Sequence, residues 1–321
     1  MSHELNFRDG KASMFYVKEV PWHNLGTKLD KPATSSEAIK AAQLDYTVVK
    51  RPLRTTAKGR LQVPVVDHFA TVRLDTHAVL GVVGSRYEII QNRDAFQFFD
   101  VIVGEGEAIY ETAGALGDGE RIWILARLPG YIKVRGEDIV NKYLLLTNSH
   151  DGRSLVRAKL TPVRVVCSNT LSVALSGPED EVRIRHTPSA IANLMHAHEL
   201  LGLSNHLYEQ LGETFRAMSL RSITEKQLLD YVKALVPDNQ GAQFKTRSEN
   251  IRNRILQLHE QGAGSLLSQG TLWGAYNAIT EYTDHTLHTQ DPMKRLNSVW
   301  YGSGDRLKQR AFVLAKQLLK N

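Results

Sequence analysis

Residues 143–160 read YLLLTNSHDGRSLVRAKL, and this stretch decides the fold class. Two apolar runs flank Asp151-Gly152, and Asp-Gly is a strong signal for a tight hairpin because both turn residues adopt positive φ. In the second run charged and apolar residues alternate, and alternate side chains of a strand point to opposite faces. The segment therefore predicts an antiparallel hairpin with strands at Tyr143–Asn148 and Leu155–Leu160.

The same period of two dominates residues 46–160, apart from one helical interruption. Later in the chain the apolar residues recur at helical steps, as in Leu203 and Leu207. Strands followed by a block of helices indicate an α+β fold. We predict a strand-rich domain with an antiparallel or mixed sheet at residues 1–185, followed by a helical domain at residues 186–321.

Two short motifs predict where helices begin. Thr34 and Glu37, and again Thr224 and Gln227, have the spacing of a capping box. In a capping box the side chain of the first residue and the side chain three positions later satisfy backbone N–H groups that a helix start leaves open.

Composition sets broad limits on the protein. The chain has 321 residues, of which 42% are hydrophobic, and a formal net charge of +6. This is ordinary globular composition, and the positive charge is compatible either with a polyanionic partner such as nucleic acid or with a merely basic, solvated surface.

The compartment is inferred from what the sequence contains. Residues 1–10 are polar and mixed in charge, so no secretory signal is expected, and no apolar run approaches the roughly 20 residues that span a membrane. Cys167 is the single cysteine, which excludes an intrachain disulfide and a cysteine-based zinc site within one chain. We expect a cytoplasmic protein without a membrane partner.

Several segments spread over the chain carry a family resemblance. They are PWHNLGT at 21–27, GSRY at 84–87 with QNR at 91–93, ETAG at 111–114, LTNSHDG at 146–152 with TPVRVVCSNT at 161–170, and WGAYNA at 273–278. In this order they resemble the phage/plasmid-like protein family, catalogued as domain of unknown function 932. The resemblance implies an occurrence on phages, prophages and plasmids, often among replication and recombination genes. It attaches no activity to these motifs and carries over no catalytic residue.

The strongest physical signal is a basic strand face. Alternation places Arg153, Arg157 and Lys159 on one side of the second hairpin strand, and Arg164 lies just beyond Pro162. A row of cationic side chains can follow a phosphate backbone. The alternative is the solvated outer face of an antiparallel sheet.

The first of three functional hypotheses is a non-enzymatic nucleic-acid-binding protein. It would bind single-stranded DNA, or anneal strands, in phage or plasmid replication or recombination. Contacts would run mainly to phosphates through Arg153, Arg157, Lys159 and Arg164, without a cofactor or a metal, and with assembly into a homo-oligomer as an accompanying expectation.

The second hypothesis is an enzyme acting on a nucleotide or nucleic acid, including one used against host defence. Its site would draw on His150, Asp151, Arg164 and Asn169, although Asn, Ser and Asp before Gly are also ordinary turn residues. The third hypothesis is an interaction module that binds a phage or host protein through the helical domain.

Other chemistry has weaker sequence support. Glu281, His285 and His288 are spaced i, i+4, i+7 and could share a helix face as metal ligands, but surface or capping roles are the favoured interpretation of the histidines, and no metal is predicted. Trp22-His23 could dock a partner or pack on its own domain. No G-x-x-x-x-G-K-[ST] motif is present, and no G-x-G-x-x-G follows a strand, so nothing indicates an ATPase or a dinucleotide enzyme.

Overall fold

The structure is a computed structural model of the chain. It describes residues 5–17, 25–31, 33–57, 61–103, 109–164, 169–170, 181–190, 192–193, 204–238, 242–287, 298–300 and 302–320. The fold is α+β, as predicted, with strands in the N-terminal part and helices mostly in the C-terminal part.

The chain divides into two compact units. Unit 1 comprises Met1–Pro129, Tyr143–Leu160 and Pro178–Leu203, and unit 2 comprises Gly130–Lys142, Thr161–Gly177 and Ser204–Asn321. The division into domains at residues 1–185 and 186–321 stays a prediction, because units defined by contacts need not coincide with domains that fold alone.

The strands are numbered along the chain. They are β1 (Phe7–Arg8), β2 (Lys11–Ala12), β3 (Met14–Val17), β4 (Thr27–Leu29), β5 (Val48–Ala57), β6 (Leu61–Arg73), β7 (Val79–Gly84), β8 (Ile109–Leu116), β9 (Arg121–Arg135), β10 (Asp138–Ser149), β11 (Val156–Leu160), β12 (Val163–Arg164), β13 (Asn169–Thr170) and β14 (Glu181–Ile184). Unit 1 also holds two helices, α1 (Ser35–Ala41) and α2 (Asn92–Val103).

The main sheet of unit 1 has the order β4-β3-β8-β9-β10-β11-β14. The β3–β4 pair is parallel, whereas β3–β8, β8–β9, β10–β11 and β11–β14 are antiparallel. Phe15, Ile124, Leu144 and Leu146 are buried in this sheet, and so are Trp123 and Leu145, which alternate with them and point to the other face. Strands β5, β6 and β7 form a separate antiparallel sheet in that order.

The two predicted strands are confirmed as the antiparallel pair β10 and β11. The predicted tight turn is wrong: residues 150–155 connect the strands, and Asp151 does not adopt positive φ. Leu144 lies opposite Leu160 and Thr147 opposite Arg157. Burial alternates along β11, and Gly152 in the connecting turn has φ +73°. An L-residue rarely adopts that dihedral, so glycine is needed in this turn.

Unit 2 is mainly helical. Its helices are α3 (Ser204–Leu220), α4 (Glu225–Leu235), α5 (Ala242–Gln261), α6 (Leu272–Glu281) and α7 (Ser303–Lys320), with a 3₁₀ turn at Ser265–Leu267 and a π-helical turn at Tyr282–Thr286. Both predicted capping boxes are present, at the starts of α1 and α4.

Aromatic packing forms the core of unit 2. The Phe215 ring centroid lies 4.7 Å from that of Trp273 and 6.1 Å from that of Phe312. The indole Nε1–H of Trp273 donates to the buried Asp138 carboxylate at 2.8 Å. This bond satisfies a polar group that burial would otherwise leave unpaired at a cost of roughly 1–3 kcal/mol.

Within the parts of the chain that the structure describes, no helix combines the length and the apolar composition needed to cross a lipid bilayer.

Candidate functional site

The predicted basic residues lie at different places. Arg157 and Lys159 lie on the half-exposed face of β11, while Val156, Ala158 and Leu160 are buried on the other face, as the alternation predicts. Arg153 lies in the turn before β11, and its backbone N–H donates to Asp151 Oδ1 at 2.8 Å.

Arg164 belongs to a different unit of the structure. It lies on β12 in unit 2, opposite Val140 of β10 and Asn169 of β13. The side chains of Arg164 and Asn169 lie outside the described residues. The structure thus brings Arg157 and Lys159 together on one strand face, with Arg153 in the turn that leads to it.

Two arginines that the sequence analysis did not select complete this face. In the β11–β14 pair Arg157 lies opposite Arg183, and Lys159 lies opposite Glu181. Arg185 follows β14 and is exposed like Arg183, while Ile184 and His186 between and after them are buried. The signal that could have found them is the alternation in EVRIRH at residues 181–186. We call Arg157, Lys159, Arg183 and Arg185 the basic face.

The register of the basic face is electrostatically unusual. Side chains directly opposite each other on antiparallel strands lie about 4.5–5.5 Å apart at Cβ, and like charges in such pairs are destabilising. Arg157 and Arg183 occupy such a pair. Two guanidinium groups at such a register can both contact one bound anion.

Buried polar side chains surround His150, which lies in the connection between β10 and β11. The ring is fully buried, and its Nε2 lies 2.9 Å from Asn92 Oδ1. The His150 backbone N–H donates to the Glu120 carbonyl at 2.7 Å, and its carbonyl accepts from Thr71 Oγ1 at 2.6 Å. Burial, and next the electrostatic interaction with His186, lower the pKa of His150 to about 3. The ring is therefore neutral at physiological pH.

Asp151 builds the hairpin turn. Its Oδ1 accepts from Ser149 Oγ at 2.9 Å as well as from the Arg153 backbone, and Arg121 lies 3.4 Å from its Oδ2. The Ser149 hydroxyl is therefore bonded to Asp151, not to the His150 ring. This arrangement is that of an Asx turn and offers no nucleophile–base pair.

Segments far apart in sequence meet around His150. The Tyr87 ring stacks on His186 with centroids 4.6 Å apart, and its hydroxyl donates to the Ser149 carbonyl at 2.8 Å. Asn148 Nδ2 donates to the Ile90 carbonyl at 2.8 Å. GSRY, QNR and LTNSHDG, three of the segments that carry the family resemblance, thus support the β10–β11 hairpin. Through the hairpin they position the basic face.

Gly81 on β7 lets the hairpin turn approach closely. A Cβ placed on Gly81 would lie 2.6 Å from the Cα of Asp151. We expect Gly81→Ala to lower the free energy of unfolding by roughly 1–3 kcal/mol, because backbone must shift to relieve the overlap. Chemical denaturation measures this change.

Gly84→Ala is the matched control, since the nearest atom to its added Cβ lies 4.0 Å away. It should change stability by no more than about 0.5 kcal/mol. Equal losses in the two variants would show that the close contact at Gly81 does not matter.

The candidate metal ligands do not converge. Glu281 Oε1 accepts from the Ala263 backbone N–H at 3.0 Å, His285 is exposed, and His288 lies outside the described residues. Among the residues whose placement is described, no group of three or more His, Cys, Asp or Glu could hold a metal ion. Trp22, His23 and Cys167 also lie outside them. The absence of a metal stays a prediction.

Comparison with known proteins identifies a family. No curated protein and no solved structure gives a significant match. The model of a domain of unknown function, DUF932, matches residues 79–300, which is more than half of the chain and includes every quoted segment except PWHNLGT at 21–27. The family predicted from those segments is confirmed: the chain belongs to the DUF932 family.

Proposed function

We propose that this protein is a non-enzymatic nucleic-acid-binding protein that contacts the phosphate backbone through the basic face. The observation that carries the proposal is the placement of Arg157 directly opposite Arg183 on adjacent strands. Phage or plasmid DNA replication or recombination, through single-strand binding or annealing, is the proposed setting.

The geometry favours phosphate contacts over base recognition. Strands rise about 3.3 Å per residue, so Arg183 and Arg185 lie roughly 6.6 Å apart along β14 and its extension. Each strand of a duplex presents one phosphate per 3.4 Å of helix axis, so cations at this spacing can contact different phosphates of the same strand. Guanidinium groups bind phosphate oxygens in a bidentate manner, and such contacts carry no sequence information.

Aromatic side chains near the basic face are engaged within unit 1. Tyr87 stacks on His186, and Tyr46 is buried with its hydroxyl donating to the Gly119 carbonyl at 2.7 Å. Base stacking, which gives single-strand binders their affinity, has no support from these two rings. We therefore expect binding without sequence preference, and the choice between single and double strands is an outcome of the test.

The two alternative functions receive different support. His150 and Asp151 are buried and hydrogen-bonded within the hairpin, so they favour support of the fold over catalysis. A protein-interaction role is favoured by exposed leucines of unit 2, of which Leu220 is 73% and Leu266 is 90% exposed. A partner protein on these leucines is compatible with nucleic acid on the basic face.

The test removes both arginines of the opposed pair. For Arg157→Gln combined with Arg183→Gln, we expect affinity to fall alike for unrelated DNA sequences. The slope of log affinity against log salt should become shallower by roughly 1.4–1.8, because each lost phosphate contact contributes about 0.7–0.9. Fluorescence anisotropy over a salt series measures both quantities.

A charge-matched variant controls for net charge. Lys226→Gln combined with Lys233→Gln removes two exposed cations from α4 and should leave the slope unchanged. Arg183→Gln alone changes only an exposed side chain and keeps the test valid if the double variant folds poorly. The same slope in the arginine variants as in wild type, or an equal loss in the lysine control, would refute the site.

A further inference from the structure

A cleft in unit 1, separate from the basic face, lies between α1, residues 44–47 and the start of α2. Its volume is about 530 Å³, within the range of small-molecule sites. Residues of α1 and of the start of α2 line it together with residues 44–47. We propose that this cleft binds the phosphate group of a small phosphomonoester such as a sugar phosphate or a mononucleotide.

Two exposed cations define the electrostatics of the cleft. Lys40 and Arg93 both line it, and neither forms an ion pair with any residue that the structure describes. Against these two cations the lining residues hold one carboxylate, Asp45, which lies 3.8 Å from Arg8 Nη1, while the same Nη1 lies 3.1 Å from Asp75. The cleft therefore presents an excess of positive charge that suits an anion.

The position of Arg93 argues for a role in binding. It is the second residue of α2, and a cation in the first turn of a helix opposes the helix dipole. Lys40, in the last turn of α1, has the ordinary stabilising placement. The first turn also holds Asp94, whose carboxylate complements the dipole and accepts from the Gln91 backbone N–H, so the guanidinium of Arg93 is the group that a phosphate would contact.

The wall of the cleft is fixed before any ligand binds. The side chain of Gln91 accepts from the Val48 backbone N–H at 3.0 Å and donates to the Val48 carbonyl at 2.8 Å. The Gln91 backbone N–H donates to Asp94 Oδ2 at 2.9 Å, and Asn92 Nδ2 donates to the Leu44 carbonyl at 2.9 Å. Little conformational entropy is lost when a ligand enters such a preformed site.

The remaining lining groups specify the body of the ligand. Ser35, Ser36 and Thr47 offer hydroxyls that fit sugar hydroxyl groups, and Ile39 offers an apolar surface. The aromatic rings of Tyr46 and Phe96 are 5% and 2% exposed, so neither presents a face for base stacking. We therefore expect recognition of phosphate and sugar, independent of the base.

Calorimetric titration with defined probes tests the site. Ribose 5-phosphate, adenosine 5′-monophosphate and cytidine 5′-monophosphate should bind with similar affinity, and ribose should not bind. Arg93→Gln should weaken binding of all three phosphates by roughly tenfold or more, since a charge-assisted hydrogen bond is lost. Arg86→Gln is the control: Arg86 is exposed in the same unit, does not line the cleft, and its loss should leave affinity unchanged.

A competition experiment distinguishes the sources of the phosphate. An oligonucleotide with a 5′-phosphate that displaces ribose 5-phosphate, while its 5′-hydroxyl counterpart does not, would assign the cleft to nucleic-acid ends. Failure of both to displace it would assign the cleft to free small molecules, and either result supports the proposal. Absence of binding by every phosphate probe, or equal weakening by Arg86→Gln, would overturn it. The Arg157→Gln/Arg183→Gln variant should bind ribose 5-phosphate normally, so this proposal and the nucleic-acid proposal fail separately.

Discussion

Asp284→Ala is expected to lower the free energy of unfolding by roughly 3–5 kcal/mol. Lys308 is fully buried, and its Nζ lies 2.8 Å from Asp284 Oδ1 on the π-helical turn that follows α6. Removing the carboxylate leaves an ammonium group in the core of unit 2 without this counter-charge. Urea denaturation monitored by circular dichroism measures the loss.

A second substitution separates the charge from the packing. Asp284→Ala combined with Lys308→Met removes both charges, and buried ion pairs are often replaced by apolar groups at little cost. We expect the double variant to recover most of the lost stability, which a double-mutant cycle reports as coupling.

An ion pair with a more exposed carboxylate supplies the control, although its partner Arg252 is only 15% exposed. Asp238 lies 2.7 Å from Arg252 and its side chain is 42% exposed, so Asp238→Ala should cost no more than about 1 kcal/mol. A loss of that small size for Asp284→Ala would show that the buried pair does not contribute as proposed.

Acidification is expected to destabilise the protein through His150. In the unfolded chain the ring has an ordinary pKa near 6.5, whereas burial lowers the pKa of His150 to about 3 in the folded protein. Between these values the unfolded state binds more protons, so stability is full above pH 6.5 and falls as the pH decreases. The loss is about 1.4 kcal/mol per pH unit, or roughly 4–5 kcal/mol over the whole window.

Replacing the ring isolates this contribution. Burial also lowers the pKa of His186, so protonation of His186 likewise destabilises the folded state as the pH falls. The pH dependence of the wild type therefore contains contributions from both histidines. His150→Gln should lose about 2 kcal/mol less than wild type between pH 6.5 and pH 5.0, whatever its stability at neutral pH. His68→Gln changes an exposed ring on β6 and should keep the wild-type dependence. An unchanged slope in His150→Gln would contradict a buried, neutral His150.

Local patterns predicted the local structure well. The hairpin of β10 and β11 follows from alternation and from Asp151-Gly152, and the helix starts follow from capping boxes, because these signals depend on residues a few positions apart. The alternation also predicted correctly that Arg157 and Lys159 share one face of β11.

Contacts between distant segments were not predictable from the sequence. Strand β14 is four residues long, and only its pairing with β11 brings Arg183 opposite Arg157. His150 has the neighbours of a turn residue, yet it is buried, and its ring lies 2.9 Å from Asn92, which is 58 residues away in sequence. The cleft likewise needs α1 and α2 to meet. The alternation of apolar and polar residues predicts which side chains of a strand share a face. Which strand pairs with it depends on tertiary packing.

The proposed nucleic-acid-binding role is tested most directly by equilibrium binding of the purified protein to labelled single- and double-stranded oligonucleotides at salt concentrations from about 50 to 200 mM. We predict binding at low salt, a linear fall of log affinity with log salt, and the same affinity for unrelated sequences of equal length. A preference for single strands would justify an annealing assay. Absence of binding at the lowest salt concentration, or an affinity that does not change with salt, would contradict the proposed role of the basic face.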